Sequence, residues 1–253
     1  MICIWCKKDF DKLSIEHVIP EGLACPDELV RTDVACGPCN NSLSRVDRAL
    51  VKQFELHTVI HRVPRKNGKP PMINSWKGLR SRMGANGPEM FINGGPGAVK
   101  VAGETLQPAS KKDGVSDVWI KPDEGTAGFR QQFGNDRRFL PAIHKIGLNL
   151  IAVCKSPQIA ASARYDHIRS FVRLEKDAVH LSAVLEKETI FGAVTGANMV
   201  EKAGRQDPMF RIMILGTTFF VDTSPDQSGL RDFRATATMM GEPSYVFPEP
   251  VNT

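Results

Sequence analysis

Two pairs of cysteines with the same spacing constrain this chain most strongly. Cys3 and Cys6 form the first pair, Cys36 and Cys39 form the second, and each pair encloses two residues. A C-x-x-C turn points two thiolates at one centre, so two such turns can complete a tetrahedral zinc site. Because four protein ligands leave no open position, we expect this zinc to be structural and to fold a module with little core of its own. A redox thiol pair and four unrelated thiols are the alternative interpretations.

Three further residues lie where this zinc would bring them together. Glu16 and His17 are neighbours in the segment Glu-His-Val-Ile-Pro between the two pairs, and Asn40 directly follows Cys39. Neighbouring residues of a strand point to opposite faces, so a carboxylate can hold a cation while an imidazole faces a water molecule. Carboxylate and amide oxygens are ligands that hard divalent cations prefer. We therefore expect a second, open metal site beside the zinc.

The order C-x-x-C, E-H-V-I-P and C-x-x-C-N, over about residues 3–56, resembles the HNH endonuclease family. Members of that family fold as two strands and a helix around a metal, the ββα-metal motif. The resemblance implies that His17 is the general base and that Glu16 and Asn40 bind one catalytic Mg²⁺ or Mn²⁺. Asn41 is a substitute for Asn40 in this role. The implied reaction is hydrolysis of DNA to 5′-phosphate and 3′-hydroxyl ends.

Two positions depart from the family pattern. Arg31, with Asp33 nearby, stands where the family usually has its middle asparagine. Leu43 stands where a basic residue often follows the helix asparagine, and Arg45 or Arg48 could serve instead.

The fold class that the sequence favours is α+β. We expect a small zinc-stabilised ββα-metal module at 1–57, a basic connector at 58–89, and a larger mixed α/β domain at 90–253 for target recognition or oligomerisation. Proline and glycine predict little regular structure in the connector. Apolar periodicity predicts helices at 40–56, 140–154 and 165–173 and strands at 13–19, 115–120, 179–184, 189–194 and 210–221.

The connector also has charge of one sign. No acidic residue lies between Glu55 and Glu89. The basic residues in this stretch are Arg62, Arg65, Lys66, Lys69, Lys77, Arg80 and Arg82. Such a stretch is suited to contacts with phosphates, and a solvated basic linker is the alternative.

The remaining cysteines and histidines show no strong pattern. Cys25 and Cys154 are expected to be ordinary buried residues. His57 and His61 have the spacing of a helical metal pair, but the frayed end of a helix is the interpretation we favour. The other histidines, His144, His167 and His180, are expected to be structural.

Several broader expectations concern partners and location. No apolar run is long enough for a membrane span and no signal pattern opens the chain, so we expect a cytoplasmic protein. Double-stranded DNA is the expected partner, in restriction or phage defence. One active site cuts one strand, which favours a homodimer or sequential nicking. The alternatives are a non-catalytic zinc-stabilised nucleic-acid-binding protein and a nuclease acting on RNA or single-stranded DNA.

Overall fold

The computed structural model describes residues 1–65, 68–76, 79–84, 87–92, 117–121, 126–130, 133–134, 136–186, 193–200, 205–239 and 244–247. It contains both helices and sheets, which confirms the predicted α+β class. The chain divides into two compact units, the first made of residues 1–51 and 136–253 and the second of residues 52–135. The division at 57 and 89 stays a prediction about functional domains.

The N-terminal part of the first unit has two strands followed by a helix. Strand β1 (Ser14–His17) pairs antiparallel with β2 (Val30–Ala35), and helix α1 (Gly37–Gln53) begins directly afterwards. The predicted apolar stripe of the helix is confirmed, since Leu43, Val46, Leu50 and Phe54 are all buried. The prediction of one helix over 40–56 is wrong at its end.

That helix stops because Phe54 leaves helical geometry, with φ −101° and ψ 10°. A short helix, α2 (Glu55–Ile60), follows and belongs to the second unit. The second unit also contains strands β3 (Ile73–Trp76), β4 (Leu79–Gly84), β5 (Gly87–Ile92), β6 (Asp117–Lys121) and β7 (Thr126–Arg130). The first three form one antiparallel sheet and the last two another. The expectation of an irregular connector is therefore wrong, because 73–92 is largely strand.

The C-terminal part of the first unit is built around one buried helix. Helix α3 (Phe139–Cys154) confirms the predicted helix at 140–154, and its residues 139–152 are all buried. It packs against α4 (Pro157–Ala161), α5 (Asp166–Arg173) and a five-stranded antiparallel sheet. A Cβ on Gly147 would lie 3.2 Å from the Val221 side chain, so this glycine permits the close approach of helix and sheet.

The sheet has the order β12-β8-β11-β10-β9. Its strands are β8 (Ala183–Glu186), β9 (Gly196–Val200), β10 (Met209–Ile214), β11 (Thr217–Asp222) and β12 (Ser244–Phe247), and helix α6 (Ser228–Met239) precedes the last strand. No helix in the described parts of the chain is long and apolar enough to cross a lipid bilayer.

Two of the strand predictions need correction. The apolar run 210–221 is a hairpin of two strands, because Leu215 and Gly216 both have positive φ and reverse the chain. The strand predicted at 179–184 begins only at Ala183. Most of the strand predicted at 189–194 lies outside the described residues.

Candidate active site and zinc centre

The four paired cysteines converge on one point. Their Sγ atoms all lie within 4.8 Å of one another, and those of Cys6 and Cys36 are 3.9 Å apart. Around a zinc ion with Zn–S bonds of about 2.3 Å, neighbouring sulfurs are about 3.8 Å apart. None of the four is in a disulfide bond. Donor type, number and spacing therefore fit a closed zinc site.

Local backbone geometry shapes this cluster. The Cys36 N–H donates a hydrogen bond to Cys3 Sγ at 3.3 Å, and Lys7 closes the first turn with a positive φ of 59°. Burial of the Cys3 thiol opposes ionisation, but backbone N–H groups, led by that of Cys36, outweigh this effect and lower its pKa. The thiolate is thus favoured at Cys3, whereas burial raises the pKa of the Cys36 and Cys39 thiols in the same cluster.

The first cysteine turn is also held by the C-terminal part of the unit. Arg169 of α5 is only 2% exposed and donates to the carbonyl oxygens of Ile4 and Ala160 at 3.1 and 2.7 Å. Arg173, one helical turn further, donates to the Trp5 carbonyl at 2.6 Å. Hydrogen bonds from α5 therefore link the first cysteine turn to the C-terminal part of the unit.

Glu16 and His17 lie on opposite faces of β1, as the strand periodicity predicts. Glu16 is 2% exposed, whereas His17 is half-buried. The pairing of β1 with β2 shifts register between Ser14 and Glu16, and Ile15 at this shift is 62% exposed. Such irregularities re-aim side chains next to active sites.

The Glu16 carboxylate meets two side chains of α3. Its Oε1 accepts from Lys145 Nζ at 2.5 Å and from Asn149 Nδ2 at 3.0 Å. Lys145 also donates to Asp47 of α1 at 3.0 Å. Burial alone would lower the pKa of Lys145, but the carboxylates of Asp47 and Glu16 raise it, so the ammonium stays charged. Burial raises the pKa of Asp47 against the opposing effect of Lys145.

Asn40 lies against the same strand. Its Nδ2 donates to the Ile15 carbonyl at 2.8 Å and to Ser14 Oγ at 3.2 Å. Both contacts use the amide nitrogen, whereas a metal would bind the amide oxygen. These two hydrogen bonds of Asn40 fix the first turn of α1 beside the strand that carries Glu16 and His17. The neighbouring Asn41 is exposed on α1.

Sequence reasoning missed Lys145, Asn149 and Asp47. The available signal was two polar residues spaced by four on a helix that is otherwise strongly apolar. At the position of the family's middle asparagine, Arg31 forms a two-pronged ion pair with Asp33, with N–O distances of 2.9 and 2.5 Å.

The basic residues predicted to bind nucleic acid fall into separate groups. Arg45 and Arg48 are exposed on α1 in the first unit. In the second unit, Arg62, Arg65 and Lys69 are exposed. Lys66 and Lys77 lie outside the described residues, and Arg80 and Arg82 lie on β4.

The other cysteines and histidines are placed as follows. Cys154 is exposed and Cys25 is half-buried, so the expectation that both are buried is wrong. His57 is 5% exposed and packs its ring against Phe54. His144 is fully buried, with Nε2 3.1 Å from the Ser182 carbonyl oxygen, and burial lowers its pKa to about 3.

This part of the first unit combines two strands, one helix and a four-cysteine cluster that could hold a metal ion. Residues 3–55 match the family model described as HNH endonuclease, which confirms the predicted resemblance for this segment. The segment carries an HNH endonuclease domain, which points to nuclease activity and a nucleic-acid substrate. No curated protein and no solved structure matches the chain.

Proposed function

We propose that this protein is a metal-dependent endonuclease that hydrolyses DNA phosphodiester bonds to 5′-phosphate and 3′-hydroxyl ends. The observation that carries the proposal is the HNH match over 3–55 together with the contact of Asn40 with β1. This contact brings the start of α1 beside the strand of Glu16 and His17. We keep the module at 1–57, the connector at 58–89 and the domain at 90–253 as the functional division.

His17 is the proposed general base. It is half-buried and lies on the face of β1 opposite Glu16, so it can meet a water molecule while the carboxylate stays inside. In its neutral form, the imidazole accepts the proton of the water that attacks phosphorus.

Glu16 and Asn40 are the proposed ligands of one Mg²⁺ or Mn²⁺, with Asn41 as the substitute for Asn40. When bound there, the cation supplies charge stabilisation for the phosphate and the leaving 3′ oxygen. Oxygen donors from a carboxylate and an amide suit such a hard ion. The zinc in the cysteine cluster is structural in this proposal.

Exposed arginines and lysines provide the phosphate contacts. Arg45 and Arg48 extend from the helix that also carries Asn40. In the second unit, Arg62, Arg65 and Lys69 are available to a polyanion, and we keep Lys66, Arg80 and Arg82 as further contacts. We propose double-stranded DNA as substrate, cut by a homodimer, in restriction or phage defence. The four thiols favour a reducing compartment such as the cytoplasm.

Cleavage of supercoiled plasmid tests this proposal. With Mg²⁺ or Mn²⁺, His17→Ala should lower the rate by about 10²- to 10⁴-fold, because the proton acceptor is lost. The matched control is His180→Ala, which removes an exposed histidine of the same unit and should cleave normally. Equal rates for His17→Ala and the intact chain would remove His17 from the mechanism. Parallel cleavage assays with RNA and with single-stranded DNA identify the substrate. Linear plasmid formed without nicked circles supports cutting by a dimer.

A non-catalytic nucleic-acid-binding function is the second candidate. The observation that favours it is Arg31, which stands at the position of the family's middle asparagine and pairs with Asp33. DNA binding without cleavage in Mg²⁺, Mn²⁺, Co²⁺ and Ni²⁺ would decide for this candidate.

A further inference from the structure

Helix α3 contributes two polar side chains to Glu16 from more than a hundred residues away. Lys145 and Asn149 are spaced by one helical turn, and both donate to the same carboxylate oxygen, Oε1. Lys145 is 1% exposed and Asn149 is fully buried. Two buried donors on one oxygen fix the orientation of the Glu16 carboxylate.

Stability alone gives a poor account of these two residues. A buried ion pair is often no more stabilising than apolar side chains of similar volume. The Asn149 Oδ1 atom is buried and has no hydrogen-bond partner among the described residues, which is costly in an apolar interior. An apolar residue at position 149 would avoid this cost, so a role at Glu16 explains the amide better.

Lys145 also connects the two elements that carry the proposed metal ligands. It contacts Glu16 on β1 and Asp47 on α1, and α1 begins with the turn that contains Asn40. Through its two contacts, one ammonium group thus fixes the strand relative to the helix. Outer hydrogen bonds of this kind orient ligands, and their loss lowers metal affinity or activity by about 10- to 100-fold in known metal sites.

We propose that Lys145 and Asn149 are positioning residues of the nuclease centre, which hold the Glu16 carboxylate in the orientation that binds the catalytic cation. This inference rests on the proposed function. Its consequence is that the HNH module alone is incomplete, since α3 completes the surroundings of its metal ligand.

Mn²⁺ titrations of plasmid cleavage by the full-length, zinc-loaded chain test the inference. Asn149→Leu removes a donor without changing charge, and it should raise the half-activating Mn²⁺ concentration about tenfold. Lys145→Met should have a larger effect, but it also breaks a buried ion pair and can impair folding. Ile146→Ala is the matched control, because it removes packing from the same buried helix and keeps both polar side chains that donate to Glu16. The control should lower the melting temperature and leave the Mn²⁺ dependence unchanged.

Direct Mn²⁺ binding without DNA, measured by electron paramagnetic resonance, separates the two possible failures. If the intact chain binds Mn²⁺ and cleaves, but Asn149→Leu has the same Mn²⁺ dependence, only the positioning role is overturned. The positioning role is also overturned if Ile146→Ala shifts the Mn²⁺ dependence as much as Asn149→Leu. If the intact chain neither binds Mn²⁺ nor cleaves, the proposed function fails and the inference with it.

Discussion

The cysteine cluster and Glu16 belong to the same small module, but their surroundings are assembled in different ways. The four thiols come from two short turns within residues 3–39, and they form a closed set of ligands. Glu16 instead takes its buried partners from α3, with Lys145 lying 129 positions further along the chain. The four-cysteine cluster is thus complete in a local motif, whereas the surroundings of the Glu16 carboxylate depend on the rest of the fold.

Removing one thiolate from the closed cluster should have the largest effect. Cys39→Ser should lose zinc and unfold the module, because structural zinc contributes about 10–16 kcal/mol in small modules, comparable to the whole stability of a domain. Zinc content and circular dichroism measure this loss. Cys25→Ser is the matched control, since Cys25 is half-buried outside the cluster. A folded, zinc-free Cys39→Ser protein would show that the cluster is dispensable.

The next largest effect on stability is expected from the hydrogen bonds that α5 donates to the first cysteine turn. Arg169→Ala should lower the free energy of unfolding by about 3 kcal/mol, because the carbonyl groups of Ile4 and Ala160 lose this buried donor. Arg173→Ala, which removes a single described hydrogen bond to the Trp5 carbonyl, should cost about 1 kcal/mol. Urea unfolding of the zinc-loaded proteins gives both values. The reverse order would contradict the assigned role of Arg169.

Substitutions at the start of α1 test the open centre directly. Asn40→Ala should lower the cleavage rate by about 10- to 100-fold, because it removes both the hydrogen bonds to β1 and the proposed metal ligand. Asn41→Ala should lower the rate less than Asn40→Ala, because Asn41 is only the substitute ligand in the proposed function. A greater loss in Asn41→Ala, in the same plasmid assay, would transfer the ligand role to Asn41.

The smallest expected effects come from the exposed face of α1. Arg45→Ala and Arg48→Ala should each weaken DNA binding severalfold and reduce the slope of log affinity against log salt by about 1. Fluorescence anisotropy at several salt concentrations measures this slope. Lys176→Ala, an exposed substitution outside the module, serves as the control. An unchanged slope in both arginine variants would show that neither Arg45 nor Arg48 contacts a DNA phosphate.

The features that could be predicted from the sequence are those fixed by short-range patterns. The spacing of the cysteines predicts their convergence, and the buried stripe of Leu43, Val46 and Leu50 follows from helical periodicity. The predicted boundaries of α3 are also close to those of the structure, because its apolar run is long and Pro141 suits a first turn.

Long-range contacts and unusual turns could not be predicted in the same way. Leu215 and Gly216 both adopt positive φ in the β10–β11 turn, but a leucine gives no turn signal, and one glycine in an apolar run does not distinguish a turn from a bulge. The pairing of Lys145 with Glu16 depends on how α3 packs against the module. A lysine within an apolar run is expected to be buried and to pair with an acidic residue. The apolar pattern does not identify that acidic residue.

The most direct test of two unlike metal centres is one dialysis experiment. The zinc-loaded chain is dialysed against mild EDTA, and zinc content and plasmid cleavage are measured before and after adding Mn²⁺. We predict that one zinc per chain remains, that cleavage disappears on dialysis, and that Mn²⁺ restores it, because the four thiolates enclose zinc while Glu16 and Asn40 leave the second ion open to exchange. Cleavage that persists after the exchangeable metal is removed, or that fails to return with Mn²⁺ while zinc is retained, would contradict this account.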